Sequence, residues 1–148
     1  AQVRSMSRLC HHGKVTCYDH SLFVAYLSFR AARFLGWDYR SAARGGLLHD
    51  LYLYDSKDKS AHPGWQCFDH PEAALRNADQ LTELSDKERD IILSHMWPLA
   101  KRRPHSREAA LVDFVDTLCA ALELCRIYRP IRLRAHLPEA LVPEPAAA

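Results

Sequence analysis

An adjacent histidine and aspartate, His49-Asp50, lie in the middle of a widely spaced set of residues that can bind metal ions. The full set is His20, His49, Asp50, His70, His95 and Asp116. The intervals are 29 positions from 20 to 49, 20 from 50 to 70, 25 from 70 to 95 and 21 from 95 to 116. Each interval is close to the length of one helix plus one loop, so successive helices can each bring a ligand to a common centre. The spacing predicts a metal site inside a helical domain.

Helical periodicity and capping residues support this interpretation. Apolar spacing and stop signals predict helices over residues 19–35, 39–48, 70–81 and 107–126, and another that begins after residue 85 and carries His95. Pro71 suits the first position of its helix, Ser85 with Glu88 forms a capping box, and Ser106 can cap the last helix. An irregular loop is predicted over residues 52–68.

No strand pair or internal repeat is evident, so the predicted fold class is all-α. We expect an N-terminal segment over residues 1–15, a single helical bundle over 16–126 with the metal site in its core, and a proline-rich C-terminal tail over 127–148.

Asp116 is the most informative single ligand candidate. It shares a predicted helix face with Val112 and Val115, where a carboxylate without a partner would be costly and a cation would remove the cost. Asp113 competes for the same role, and a carboxylate that caps a helix or pairs with arginine is the structural alternative.

Composition narrows the classes of partner and compartment. The net charge is only +2, which favours neither nucleic acid nor a membrane surface as a partner. Five cysteines at irregular spacing form no C-x-x-C pair, which indicates a reducing compartment, and no apolar stretch approaches the ~20 residues of a membrane helix. We therefore expect a cytoplasmic monomer or homodimer with a small-molecule partner.

This ligand pattern resembles the HD superfamily of metal-dependent phosphohydrolases, in which a His, a His-Asp pair and a distant Asp lie on a helical core. Here the match is His20, His49-Asp50 and Asp116. His70 in "DHPEAAL" and His95 in "ILSHMWPL" are similar to the extra histidines of a subgroup that holds two metals.

The resemblance implies two divalent metals, with Fe or Mn expected and Zn, Ni or Mg possible in their place. By that resemblance His20, His49, Asp50 and Asp116 hold one metal, and Asp50, as the catalytic bridging ligand, joins it to a second held by His70 and His95. Many members of the subgroup follow the His-Asp pair with Ile-Gly-Lys. Because Leu51-Tyr52-Leu53 stand there instead, Lys57 or Lys59 would replace the missing lysine.

The implied reaction is hydrolysis of a phosphomonoester or phosphodiester in a small phosphorylated or nucleotide-like substrate, with a hydroxide shared by the two metals as nucleophile. The basic run Lys101, Arg102 and Arg103 is a candidate for binding the anionic substrate, or else a solvated loop. Two alternatives remain open: a di-iron HD oxygenase that uses O₂ to cleave a C–C or C–P bond, and an HD module that binds a nucleotide without turnover.

Overall fold

A computed structural model describes residues 2–12, 15–54 and 66–125. In chain order its elements are helix α1 (Gln2–Ser5), a 3₁₀ helix (Met6–Arg8), strands β1 (Cys10–His12) and β2 (Val15–Thr16), and helices α2 (Cys17–Phe34), α3 (Tyr39–Leu48), α4 (Gln66–Leu81), α5 (Asp86–Ser94) and α6 (Arg107–Leu124). The all-α prediction is confirmed. Among the helices of these residues, none combines the length and apolar character needed to cross a membrane.

Local sequence signals set where most of the long helices begin. Thr16 caps α2, Asp38 caps α3, and Ser106 caps α6 by accepting a hydrogen bond from the backbone N–H of Ala109 at 3.1 Å. Ser85 and Glu88 form the predicted capping box at the start of α5. Because each cap satisfies a backbone donor that has no partner within its helix, these starts are fixed by neighbouring residues alone.

Helix α4 differs from its predicted start. The sequence placed Pro71 at the first helical position, but α4 begins at Gln66 and Pro71 lies inside it. A proline there removes one backbone hydrogen bond from the helix. Ala73, Ala74 and Ala78 of α4 are buried against the core, and we infer that this packing offsets the loss.

A short strand pair near the N-terminus was not predicted. Strands β1 and β2 pair antiparallel, with Cys10 opposite Thr16 and His12 opposite Val15. Strands this short carry too little alternation to be recognised from sequence. The N-terminal segment also contributes Met6, which is fully buried, to the core.

The bundle packs around α2 and α3. Helix α2 packs against α3 and α6, and α5 packs against α3, α4 and α6. Two buried clusters fill the space between these helices, one including Leu51, Ala74 and Ile92, and the other including Val24 and Val112. The C-terminal ends of α3 and α5 therefore lie within the same core.

Candidate metal centre

All six predicted ligand residues come together in the core. His20 lies on α2, His70 on α4 and Asp116 on α6, while His49 and His95 are the C-cap residues of α3 and α5. Their ligand atoms form three overlapping groups, each within 4.8 Å: His20, His49 and Asp50; His49, His95 and Asp116; and Asp50, His70 and His95. Five of the six residues are buried, and the side chain of Asp116 is 14% exposed.

Asp50 stands between two sets of imidazoles. Its Oδ2 lies 3.6 Å from Nε2 of His49. Its Oδ1 lies 3.4 Å from Nε2 of His70 and 3.6 Å from Nε2 of His95. The two histidine Nε2 atoms on the Oδ1 side are themselves only 2.7 Å apart. The two carboxylate oxygens of Asp50 thus face the Nε2 atoms of different histidines.

Asp116, rather than its competitor Asp113, joins the cluster. Oδ1 of Asp116 lies 2.8 Å from Nε2 of His20 and 3.6 Å from Nε2 of His49. Asp113 belongs to none of the three groups of ligand atoms, and its buried Oδ1 has no hydrogen-bond partner among the described residues. Burial and the charge of Asp116 raise the pKa of Asp113 to about 7.

Backbone carbonyls fix the orientation of two of the imidazoles. His49 donates from Nδ1 to the carbonyl of Gly46 at 2.7 Å, and His95 donates from Nδ1 to the carbonyl of Ile92 at 2.7 Å. Since a carbonyl only accepts, Nδ1 carries the proton in both rings and Nε2 faces the cluster. The buried Nε2 of His49 has no hydrogen-bond partner in the part of the chain that the structure describes. Such an atom, held by a carbonyl on the opposite side of its ring, is a suitable metal ligand.

The electrostatics of the cluster favour positive charge. Burial lowers the pKa of His20, but hydrogen bonds to Asp116 and Glu123 outweigh it and raise the pKa to about 10. Burial also opposes a charge on His49, yet Asp50 and Asp116 raise its pKa. These groups hold protons where a cation would satisfy the same carboxylates, so the residues present fit a metal.

His95 and Asp116 are set in the protonation states that ligands require. Burial and the neighbouring histidines His70 and His49 lower the pKa of His95 to about 3, so its ring is neutral. Burial acts to raise the pKa of Asp116, but His49 and His20 hold it well below its usual range, so it stays a carboxylate. Neutral imidazole and ionised carboxylate are the forms that bind metals.

Sequence reasoning missed Glu123. Its Oε1 lies 2.9 Å from Nδ1 of His20, on the side of the ring opposite Asp116. The signal was present, since Glu123 follows Asp116 by seven residues, which is two helical turns, and so lies on the same face of α6. Tyr52 is a further neighbour of the cluster, since its buried hydroxyl is hydrogen-bonded to Sγ of Cys17 at 3.0 Å and its ring lies 5.6 Å from that of His70.

The predicted substrate-binding cations are not among the residues of the cluster. Lys101, Arg102 and Arg103 are exposed. Arg102 lines an open cavity of about 410 Å³, whose other lining residues are Asp86, Lys87, Arg89, Asp90, His105 and Ser106. None of the six ligand residues lines that cavity. Lys57 lies outside the described residues.

Comparison with models of known protein families gives a match over most of the chain. A family model described as HD domain matches residues 17–121, a range that includes all six ligand candidates. A search of curated proteins and a search of solved structures each found no match.

Proposed function

The chain belongs to the HD domain family, and we propose that it is a metal-dependent phosphohydrolase that cleaves a phosphomonoester or phosphodiester bond in a small phosphorylated or nucleotide-like substrate. The observation that carries this proposal is the position of Asp50, whose Oδ2 faces His49 while its Oδ1 faces His70 and His95. A carboxylate whose two oxygens each lie beside histidine nitrogens is suited to bridge two cations.

We propose that the six residues serve two metals. His20, His49 and Asp116, with Asp50, would hold one, and His70 and His95, with the other oxygen of Asp50, would hold the second. When bound, the metals would neutralise charge on the phosphoryl oxygens and activate a water molecule as nucleophile.

The size of the barrier explains why such a centre is needed. Phosphate esters hydrolyse so slowly without a catalyst that the barrier must fall by on the order of 20 kcal/mol, whereas a general acid or base contributes only ~10²- to 10⁴-fold. The protein's own contribution is to hold the ligands rigidly. The carbonyls of Gly46 and Ile92 orient His49 and His95, and burial of the cluster limits its contact with bulk water.

The direct test is replacement of Asp50. We expect the parent protein, purified without chelator, to contain close to two metals per chain and to cleave a chromogenic phosphate ester after addition of Mn²⁺ or Fe²⁺. Asp50→Ala should lose both metals and the activity, because one side chain serves both halves of the cluster. Asp79→Ala is the matched control, since Asp79 is exposed on α4, pairs with Arg89 at 2.7 Å and belongs to none of the groups of ligand atoms. Parent-like metal content and activity in Asp50→Ala would refute the proposal.

The donor set also supports a second candidate. Four imidazoles with two carboxylates suit iron, so a di-iron oxygenase that cleaves a C–C or C–P bond with O₂ would use the same residues. Activity with Mn²⁺ under anaerobic conditions favours the hydrolase. O₂ consumption by the iron-loaded protein, without ester cleavage, favours the oxygenase.

A further inference from the structure

We propose that Glu123 is a positioning residue that orients His20 for metal binding, an inference that rests on the metal centre of the proposed function. Oε1 of Glu123 lies 2.9 Å from Nδ1 of His20, while Oδ1 of Asp116 lies 2.8 Å from Nε2 of the same ring. Both carboxylates come from α6, and the ring comes from α2. The imidazole is therefore held at both nitrogens by one helix.

Glu123 is not at a position where a glutamate would stabilise its own helix. It lies in the last turn of α6, where the helix dipole disfavours a negative charge. Its side chain is fully buried, and its Oε2 has no hydrogen-bond partner among residues 2–12, 15–54 and 66–125. Burial of a carboxylate with an unsatisfied oxygen is costly. A role at the neighbouring centre accounts for that cost.

The chemistry of the contact defines that role. A carboxylate only accepts, so each ring nitrogen of His20 donates a proton to its carboxylate in this structure. If a cation replaced the proton on Nε2, the hydrogen bond to Glu123 would keep the other proton on Nδ1 and leave the lone pair of Nε2 for the cation. A carboxylate that accepts a hydrogen bond from one nitrogen of a metal-binding histidine fixes the orientation of the ring and makes the other nitrogen a stronger metal ligand. Asp116, whose Oδ1 lies beside Nε2, would be a second ligand of that cation.

The test compares metal affinity in variants of the full chain, with Zn²⁺ alone as the probe and a chelating dye as competitor. Glu123→Ala should bind Zn²⁺ about 10- to 100-fold more weakly than the parent. Glu123→Gln keeps a neutral acceptor, so we expect a smaller loss of about 3- to 10-fold. In the Zn²⁺-loaded parent and Glu123→Gln, ¹⁵N NMR of the imidazoles should show the proton of His20 on Nδ1.

The matched control is Glu108→Gln. Glu108 is also a buried carboxylate of α6, but it accepts a hydrogen bond from the backbone of Asp38 and pairs with Lys87 at 3.2 Å. A purely structural role for Glu123 would lower the unfolding temperature, as in this control, and leave the Zn²⁺ affinity of the folded protein unchanged. Parent-like affinity in Glu123→Ala, or an equal loss in Glu108→Gln, overturns the inference. If Glu123→Ala does not fold, parent-like affinity in Glu123→Gln overturns it.

The result is separable from the test of the proposed function. A parent protein that binds Zn²⁺ but cleaves no ester with any added metal refutes the hydrolase, while the affinity ratios still decide the role of Glu123. A parent protein that binds no metal overturns both.

Discussion

A methyl group added at Gly45 should force α3 and α5 apart. The Cβ of an alanine there would lie 2.7 Å from Cδ1, 2.8 Å from Cγ2 and 2.9 Å from Cβ of Ile91. Favourable contacts between carbon atoms are about 3.5 to 4.0 Å long. The Cδ1 atom can rotate away, but the Cβ of Ile91 is fixed to the backbone of α5. The helices must therefore separate locally by about 0.6 Å, the difference between 2.9 Å and the shortest favourable contact.

Two opposing terms set the change in stability. Overpacking in a filled core costs about 1 to 3 kcal/mol, whereas alanine is better than glycine inside a helix by about 1 kcal/mol. The net effect of Gly45→Ala alone is a loss of up to about 2 kcal/mol in the free energy of unfolding. In an Ile91→Gly background no Cβ faces position 45, so the clash is absent and the same substitution should become stabilising by up to about 1 kcal/mol.

A double-mutant cycle isolates this coupling. The parent, Gly45→Ala, Ile91→Gly and the double variant are unfolded with urea in the presence of chelator. We expect a coupling energy of about 1 to 3 kcal/mol, with the double variant more stable than the sum of the single effects. Additivity to within about 0.5 kcal/mol would show that the close approach of the helices does not govern stability.

The same displacement should reach the metal centre. His49 ends α3 and His95 ends α5, and their rings are 4.8 Å apart. Gly45→Ala should therefore weaken metal binding.

Three further changes test other parts of the structure. Burial acts to raise the pKa of Asp90, but hydrogen bonds from the start of α6 outweigh it and hold the pKa below its usual value. Asp90→Ala should therefore cost about 1 to 3 kcal/mol near neutral pH in urea unfolding of the metal-free protein, and the difference from the parent should shrink as pH falls below about 4. Asn77 donates to the carbonyl of Leu51 at 2.7 Å, so Asn77→Ala should cost about 1 kcal/mol in the same assay, and an unchanged midpoint contradicts this contact. Burial raises the pKa of Tyr52, so the phenolate absorbance that develops near pH ~10 should be the same in the parent and in Tyr52→Phe.

The helices and their caps show how far local signals reach. The capping residues Ser85 and Ser106 start α5 and α6 as predicted, because a cap needs only the backbone N–H groups that follow it within a few residues. The predicted start of α4 was wrong. The cost of Pro71 inside a helix can be judged from neighbouring residues, whereas the stability that α4 gains by burying one face depends on residues distant in the chain.

The ligand set shows the same division. Spacing and residue type were enough to nominate the six ligands, and the structure brings all of them together. The sequence favoured Asp116 over Asp113 but did not decide between them. Both have apolar neighbours, and residues three positions apart lie on neighbouring faces of a helix. The packing of α6 against α2 selects Asp116, which reaches His20.

Periodicity and capping are local properties, so residues close together in the chain were sufficient to predict the fold class and most helix starts, and residue type with spacing was sufficient to nominate the ligands. The packing of the helices determines which oxygen of Asp50 faces which histidine, that Glu123 lies behind His20, and that Arg102 lines a cavity without any of the six ligands. These depend on the angles and offsets at which helices pack. Such angles are set by the shapes of many side chains distant in sequence, so no local pattern contains them.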